Sequence, residues 1–224
     1  MKTDKINPER TLTLAIIDAL KMWSDTRYER FLDSKTPGTL DQAWFKWFIG
    51  EWSVARTIRK DDCELVRKYL NVYLRRAMNR KQGAAAIDHS AQHIQKNEWS
   101  SHKRKDGTSS VPLSIVSKVG FFFCPSEIIP YDSLARMGLN KIRGTIKKGG
   151  EGHLQCKLYV EHLDAFNHKF EGSHESIIKE LKKDWVTSLS RRLGCFSNCL
   201  DKIEFHRKVF DNQLLHIGID SRNN

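Results

Sequence analysis

Asp132 is the residue whose type and setting could most directly do chemistry. Residues 117–139 read SKVGFFFCPSEIIPYDSLARMGL: an apolar helix, a loop bracketed by two prolines, then an aspartate at the mouth of a second helix. Pro125 ends the first helix, because a proline disfavours helical geometry in the residue before it. Pro130 holds the loop extended. Asp132 then stands where an N-cap is expected, ahead of Leu134, Ala135, Met137 and Leu139. A carboxylate there meets the positive end of the helix dipole and can accept backbone N–H bonds, and both effects favour its ionised form. The expected result is a fixed negative charge at the end of an apolar wall. Such a charge can steady a developing cation and take a proton from water. An aspartate at this place is also an ordinary helix cap, and the two roles are compatible: capping keeps a carboxylate ionised and aimed.

The elements that position Asp132 are helical. Leu12, Ile16, Ile17, Leu20 and Trp23 form one apolar stripe. Thr39 and Gln42 have capping-box spacing, ahead of Ala43, Trp44, Trp47 and Phe48. Leu65, Tyr69, Leu70, Tyr73 and Leu74 mark a third helix opened by Asp61 or Asp62, and Ala84, Ile87, Ala91 and Ile94 a fourth. Residues 99–110 read as a polar loop with an Asp106-Gly107 turn. Helices are expected over 111–124 and from 132 to about 141, and Arg143 to Gly152 is a basic, glycine-rich stretch and a candidate boundary between two lobes. Leu154, Leu158 and Phe166 suggest a further helix. Ser173 is set to cap another through Leu193, and a last one starts near Asn198. No alternation typical of strands persists, so the expectation is an all-α domain of about eight to ten helices. The clustered Trp23, Trp44, Trp47 and Trp52 are expected in the core. Phe121, Phe122 and Phe123 span about 300° of a helix and so are not expected to share one core.

Composition narrows the partners. The 224 residues carry a net charge of +11, with 39% hydrophobic and 29% charged residues, which is globular rather than disordered. The charge is uneven: residues 51–100 have a net of +4, residues 101–150 a net of +6, and residues 151–224 a net of zero. The positive half thus holds Asp132. A polyanion such as nucleic acid fits that distribution, with a merely solvated basic face as the alternative. No apolar run approaches membrane-spanning length. The first residues lack a signal peptide's cleavage pattern, and a cytoplasmic location is expected. Five scattered cysteines argue against a disulfide framework. Cys195 and Cys199 would share a helix face, but only two ligands are in sight, so no metal is expected.

The segment around Asp132 resembles a known family. Ile129-Pro130-Tyr131-Asp132-Ser133 with Ala135-Arg136, preceded by Ser117-Lys118, the three phenylalanines and Pro125, is similar to the catalytic segment of helix-hairpin-helix DNA glycosylases. It is closest to the archaeal-type 8-oxoguanine glycosylases and their bacterial relatives. The resemblance covers roughly residues 105–145. It implies a helix-hairpin-helix bundle with a cleft, no cofactor, a monomer, and double-stranded DNA as partner. Asp132 maps to the family's catalytic aspartate. Lys118, Phe122 and Tyr131 become candidate contacts to a flipped base. Lys103, Arg104, Lys105, Gly107, Ser109, Ser110 and Arg136 become candidate DNA contacts.

The chain departs from the family in two places. The hairpin is reduced to Asp106-Gly107-Thr108-Ser109-Ser110. The lysine nucleophile of bifunctional members would fall near Val111, and no lysine lies within 111–117. Lys105 and Lys118 are the nearest alternatives, the first better suited to phosphate and the second to structure or base contact. The resemblance therefore implies hydrolysis of the base–sugar bond by water, leaving an abasic site, without a lyase step. The base would be an oxidised purine, for repair, or a hypermodified phage base, for antiviral defence. A noncatalytic DNA-binding module that keeps the fold is the alternative, with Asp132 only a cap.

Overall fold

The computed structural model describes residues 7–32, 38–54, 57–80, 83–101, 107, 111–143, 159–196 and 198–222. These are all-helical: ten helices, counting one long interrupted helix once, and no strand beyond a single antiparallel bridge between Ile58 and Ser100. None of the described helices is long and apolar enough to cross a membrane. The chain forms two compact units. One comprises Met1–Glu29, Asp132–Lys157 and Glu161–Asn224; the other comprises Arg30–Tyr131 and Leu158–Val160. The divisions thus fall at 29/30, 131/132 and near 160, whereas the glycine-rich stretch singled out in the sequence lies within the first unit and, beyond Arg143, outside the described residues.

In the first unit, α1 (Pro8–Ser24) starts at an Asn7 cap whose side chain accepts the Arg10 N–H, with proline at the first helical position. The helix α2 (Thr26–Leu32) carries the chain into the second unit. The rest of the first unit is α8 (Ser133–Ile142), most of α9 (Tyr159–Leu181), α10 (Asp184–Leu193) and α11 (Ile203–Arg222). Ala15, Ile16, Ala19, Leu20 and Trp23 bury the inner face of α1, and Trp23 meets Phe205 of α11 edge-on at 5.2 Å. Helices α8 and α11 approach closely. A Cβ on Gly138 would lie 1.9 Å from the Leu214 carbonyl oxygen, and one on Gly218 would lie 2.0 Å from that of Leu134. Backbone meets backbone at both points, so neither neighbour can swing away.

The second unit holds α3 (Gln42–Glu51), α4 (Cys63–Tyr69), a π-helical turn (Leu70–Leu74), α5 (Arg75–Asn79), α6 (Gly83–Lys96) and α7 (Leu113–Phe123). The run from α4 through α5 is continuous. Its centre is α7, buried at every residue but Ser114. A helix this apolar around its circumference must be enclosed on all sides. Phe122 sits among Phe31, Trp44, Phe48 and Trp52 with ring centroids 5.2–5.8 Å apart.

Several sequence expectations need correction. Phe121, Phe122 and Phe123 are all buried, because helices pack around α7 rather than along one side of it. The α3 cap is Asp41, whose carboxylate accepts the Trp44 N–H, not Thr39. Ser173 does not open a helix: α9 runs through it, and the break comes at Lys182-Lys183 before α10. Leu65 and Tyr73, placed on a buried stripe, are 48% and 61% exposed. The tryptophans divide, with Trp23 and Trp44 buried and Trp47 and Trp52 half-exposed.

Gly138→Ala and Gly218→Ala are each expected to destabilise the protein at or above the usual overpacking range of about 1–3 kcal/mol. Gly172→Ala, where an added Cβ meets nothing within 4 Å, should gain up to about 1 kcal/mol from helix propensity. Urea unfolding of the three variants checks the contrast.

Candidate functional site

The loop ahead of Asp132 is pinned by polar side chains. After α7, the Cys124 carbonyl accepts the Glu127 and Ile128 N–H groups, turning the chain past Pro125. The Ile129 N–H donates to the Tyr159 hydroxyl at 2.9 Å, and that hydroxyl donates to the Ile129 carbonyl at 2.6 Å. The Tyr131 N–H donates to Ser117 Oγ at 2.8 Å. Tyr159 is itself fixed, because Asp88 of α6 accepts the Tyr159 and Val160 N–H groups at the start of α9. Asp88 thus serves as a cap supplied from another helix.

Asp132 follows as the N-cap of α8. Its backbone is extended (φ −113°, ψ 141°), its Oδ1 accepts the Leu134 N–H at 2.9 Å, and its carbonyl accepts the Arg136 N–H. The carboxylate is half-buried at the positive end of the helix dipole. It can therefore present negative charge in a fixed direction. The α8 helix cannot slide to release it, because Gly138 and Gly218 lock its register against α11.

The other expected residues fall in both units. Asp132 and Arg136 belong to the first; Lys118, Phe122 and Tyr131 belong to the second. Lys118 is buried, and its Nζ donates to the Trp52 carbonyl at 2.9 Å, 5.9 Å from the Trp52 ring centroid. Its position is that of a tether between α7 and the end of α3. Phe122 has no exposed surface, which corrects its expected role as a stacking platform. Tyr131 and Arg136 are half-exposed. Gly107 is exposed with φ +82°, a left-handed conformation that glycine adopts readily. Lys103, Arg104, Lys105, Ser109 and Ser110 lie outside the described residues.

No group of three His, Cys, Asp or Glu side chains among the described residues is arranged to hold a metal. Cys195 and Cys199 are not on one helix face. Gly194 ends α10 in the left-handed region, Cys195 follows it, and Cys199 begins a 3-10 turn. A hydrogen bond between the two thiols draws Cys195 down to about 7 and pushes Cys199 up, with burial adding to the rise at Cys199.

Comparison with family models, curated proteins and solved structures returns no match for this chain.

Sequence reasoning passed over one face. Tyr69, Tyr73, Arg76 and Arg80 follow one another at spacings of four, three and four, which on an ideal helix places them within about 60°. Tyr69 is buried as a core stripe requires, but Tyr73 is exposed, and the two arginines that follow it at helical spacing were the available signal.

Two stability outcomes follow. Asp132→Ala should cost about 1 kcal/mol through loss of the cap, while Asp132→Asn, which caps as well, should leave stability nearly unchanged. Guanidinium unfolding distinguishes them. His162 on α9 is 1% exposed, and burial, aided by the charge of Arg136, lowers its pKa from the ordinary 6.5 to about 4. The folded state therefore favours the neutral ring, so its contribution is complete above pH 6.5 and is lost as pH falls toward 4. Wild type should lose on the order of 2–3 kcal/mol more than His162→Gln between pH 7.5 and 4.5. His93 and His174 are also lowered by burial and act in the same direction in both proteins. Asp18, Asp25 and Asp41 sit below the usual carboxylate range and titrate beneath this window.

Proposed function

We propose that this chain is a monofunctional DNA glycosylase, with Asp132 as its catalytic carboxylate. The observation that carries the reading is the seating of Asp132: an N-cap of α8, at the end of a loop whose backbone is tied to Tyr159 and Ser117. Cleavage of a base–sugar bond leaves positive charge on the sugar. A preorganised carboxylate stabilises that charge and takes a proton from the attacking water as the C1′–N bond breaks and the base departs. The base must first leave the duplex. Lys118, buried and donating to the Trp52 carbonyl, is poorly disposed to attack, which supports water as the nucleophile. The substrate base is an oxidised purine or a hypermodified phage base.

The burial of Phe122 among its own unit's aromatics favours a second reading, a DNA-binding module without catalysis. Excision assays on DNAs that each carry one modified base, including 8-oxoguanine and glucosylated hydroxymethylcytosine, decide between them. The expected outcome is strand cleavage only after hot alkali, lost in Asp132→Asn with DNA affinity retained or increased. Cleavage without alkali would mean a lysine nucleophile. Binding without abasic sites in any DNA would leave the noncatalytic module.

A further inference from the structure

The solvent face of the α4–α5 run carries a surface that none of the preceding chemistry uses. Tyr69 stacks on His93 of α6 with parallel rings 4.3 Å apart, and Tyr73 stacks on Tyr69 at 5.0 Å. Trp99 meets both Tyr69 and His93 edge-on. The result is a column of three rings whose outer member, Tyr73, is 61% exposed, beside Val72 at 59%. Leaving an aromatic face and a valine in water forgoes burial worth about 25 cal/mol per Å2. The exposure falls within the π-helical turn at Leu70–Leu74, an irregularity frequent at functional positions.

Two hollows meet at this column and share Tyr69, Tyr73 and His89. One, of about 630 Å3, is bordered by Arg76, Arg80 and Ser90. The other, of about 620 Å3, is bordered by Lys68, Val72 and Trp99. Among the described residues, no carboxylate lines either hollow. Glu64 approaches Lys68 at 3.7 Å from outside them and is also paired with Arg67. Each hollow therefore offers surface of the shared Tyr69 and Tyr73 rings and at least one cation.

We infer that this groove binds single-stranded DNA, with a base stacked on Tyr73 and the flanking phosphates at Arg76 and Arg80. A shared ring face with cations in both adjoining hollows matches a strand that carries a base between phosphates. A duplex keeps its base faces stacked on each other and has none to offer Tyr73. An acidic peptide would satisfy the cations but leave the ring column unused. The choice of DNA over RNA rests on the glycosylase reading; the stacking and charge argument does not.

The test is fluorescence anisotropy with a labelled, unmodified twelve-nucleotide oligothymidylate, using the full chain with circular dichroism to verify folding of each variant. Tyr73→Ala is expected to weaken binding by about fivefold or more, the usual effect of removing a base-stacking ring. Arg76→Ala with Arg80→Ala should weaken binding and lower the slope of log affinity against log salt by about 1.4. Lys179→Ala, an exposed charge on α9 in the other unit, should change neither. Unchanged affinity in both groove variants overturns the proposal, and so does equal weakening of duplex binding by Tyr73→Ala. Tighter binding of oligouridylate than oligothymidylate overturns the assignment to DNA. The two readings fail separately: excision with Tyr73-independent strand binding removes the groove alone, and Tyr73-dependent binding without excision of any base removes the glycosylase alone.

Discussion

The first unit depends on two helices crossing with almost no side chain between them. Gly138 of α8 faces the Leu214 carbonyl, and Gly218 of α11 faces the Leu134 carbonyl. The contacts are reciprocal, so translation or rotation of one helix brings a residue that carries a Cβ against the other's backbone. A crossing set by leucines could relax by changing rotamers; this one cannot. The rest of the unit is arranged around it. On the other flank of α11, Asn212 donates to the Ala15 carbonyl of α1 and His216 meets Asp18. Lys208 and Asp211 form an ion pair at 2.6 Å that is 8% and 3% exposed. Removing either partner of such a pair would strand a buried charge. What the crossing gives to the candidate site is direction: α8 has one allowed register, so its N-terminus, and with it Asp132, has one position relative to α11.

In the second unit, polar groups do the comparable work at loop ends. Asp88 leaves α6 to cap α9, Tyr159 at the first turn of α9 brackets Ile129, and Ser117 holds Tyr131. Lys118 closes the other side by reaching the Trp52 carbonyl. Each of these bonds satisfies a backbone group that a loop or helix end would otherwise leave without a partner. Ser117 and Lys118, drawn from the same helix as the buried phenylalanines, are therefore part of the frame that delivers the chain to Asp132. Their neighbourhood to the family-like segment in sequence is explained by this structural duty as well as by any contact with a base.

Legibility in the sequence differed with the range of the interaction. Helices α1, α6, α7 and α8 were readable because their apolar residues recur at the helical period and local residues stop or cap them: Pro125 after α7, Asp132 before α8. The same local logic misplaced the start of α3, where Asp41 outcompetes Thr39 two residues earlier, and it divided α9 at Ser173, a residue as compatible with a helix interior as with a cap. The burial of Phe122 and the exposure of Tyr73 were inverted, because periodicity reports that a face is apolar or aromatic but not what lies opposite it.

The sequence by itself determined the helical class, the N-cap identity of Asp132 and the basic character of the half that contains it, since all three depend on residues within a few positions of one another or on composition. The tertiary structure alone decided which segments form each unit, the glycine crossing that sets α8, the enclosure of α7 and the stacking of Tyr69 on His93. Those depend on contacts between residues up to 198 positions apart along the chain, as at His216 and Asp18. No local propensity encodes them, because their free energy comes from surfaces that meet only once the chain is folded.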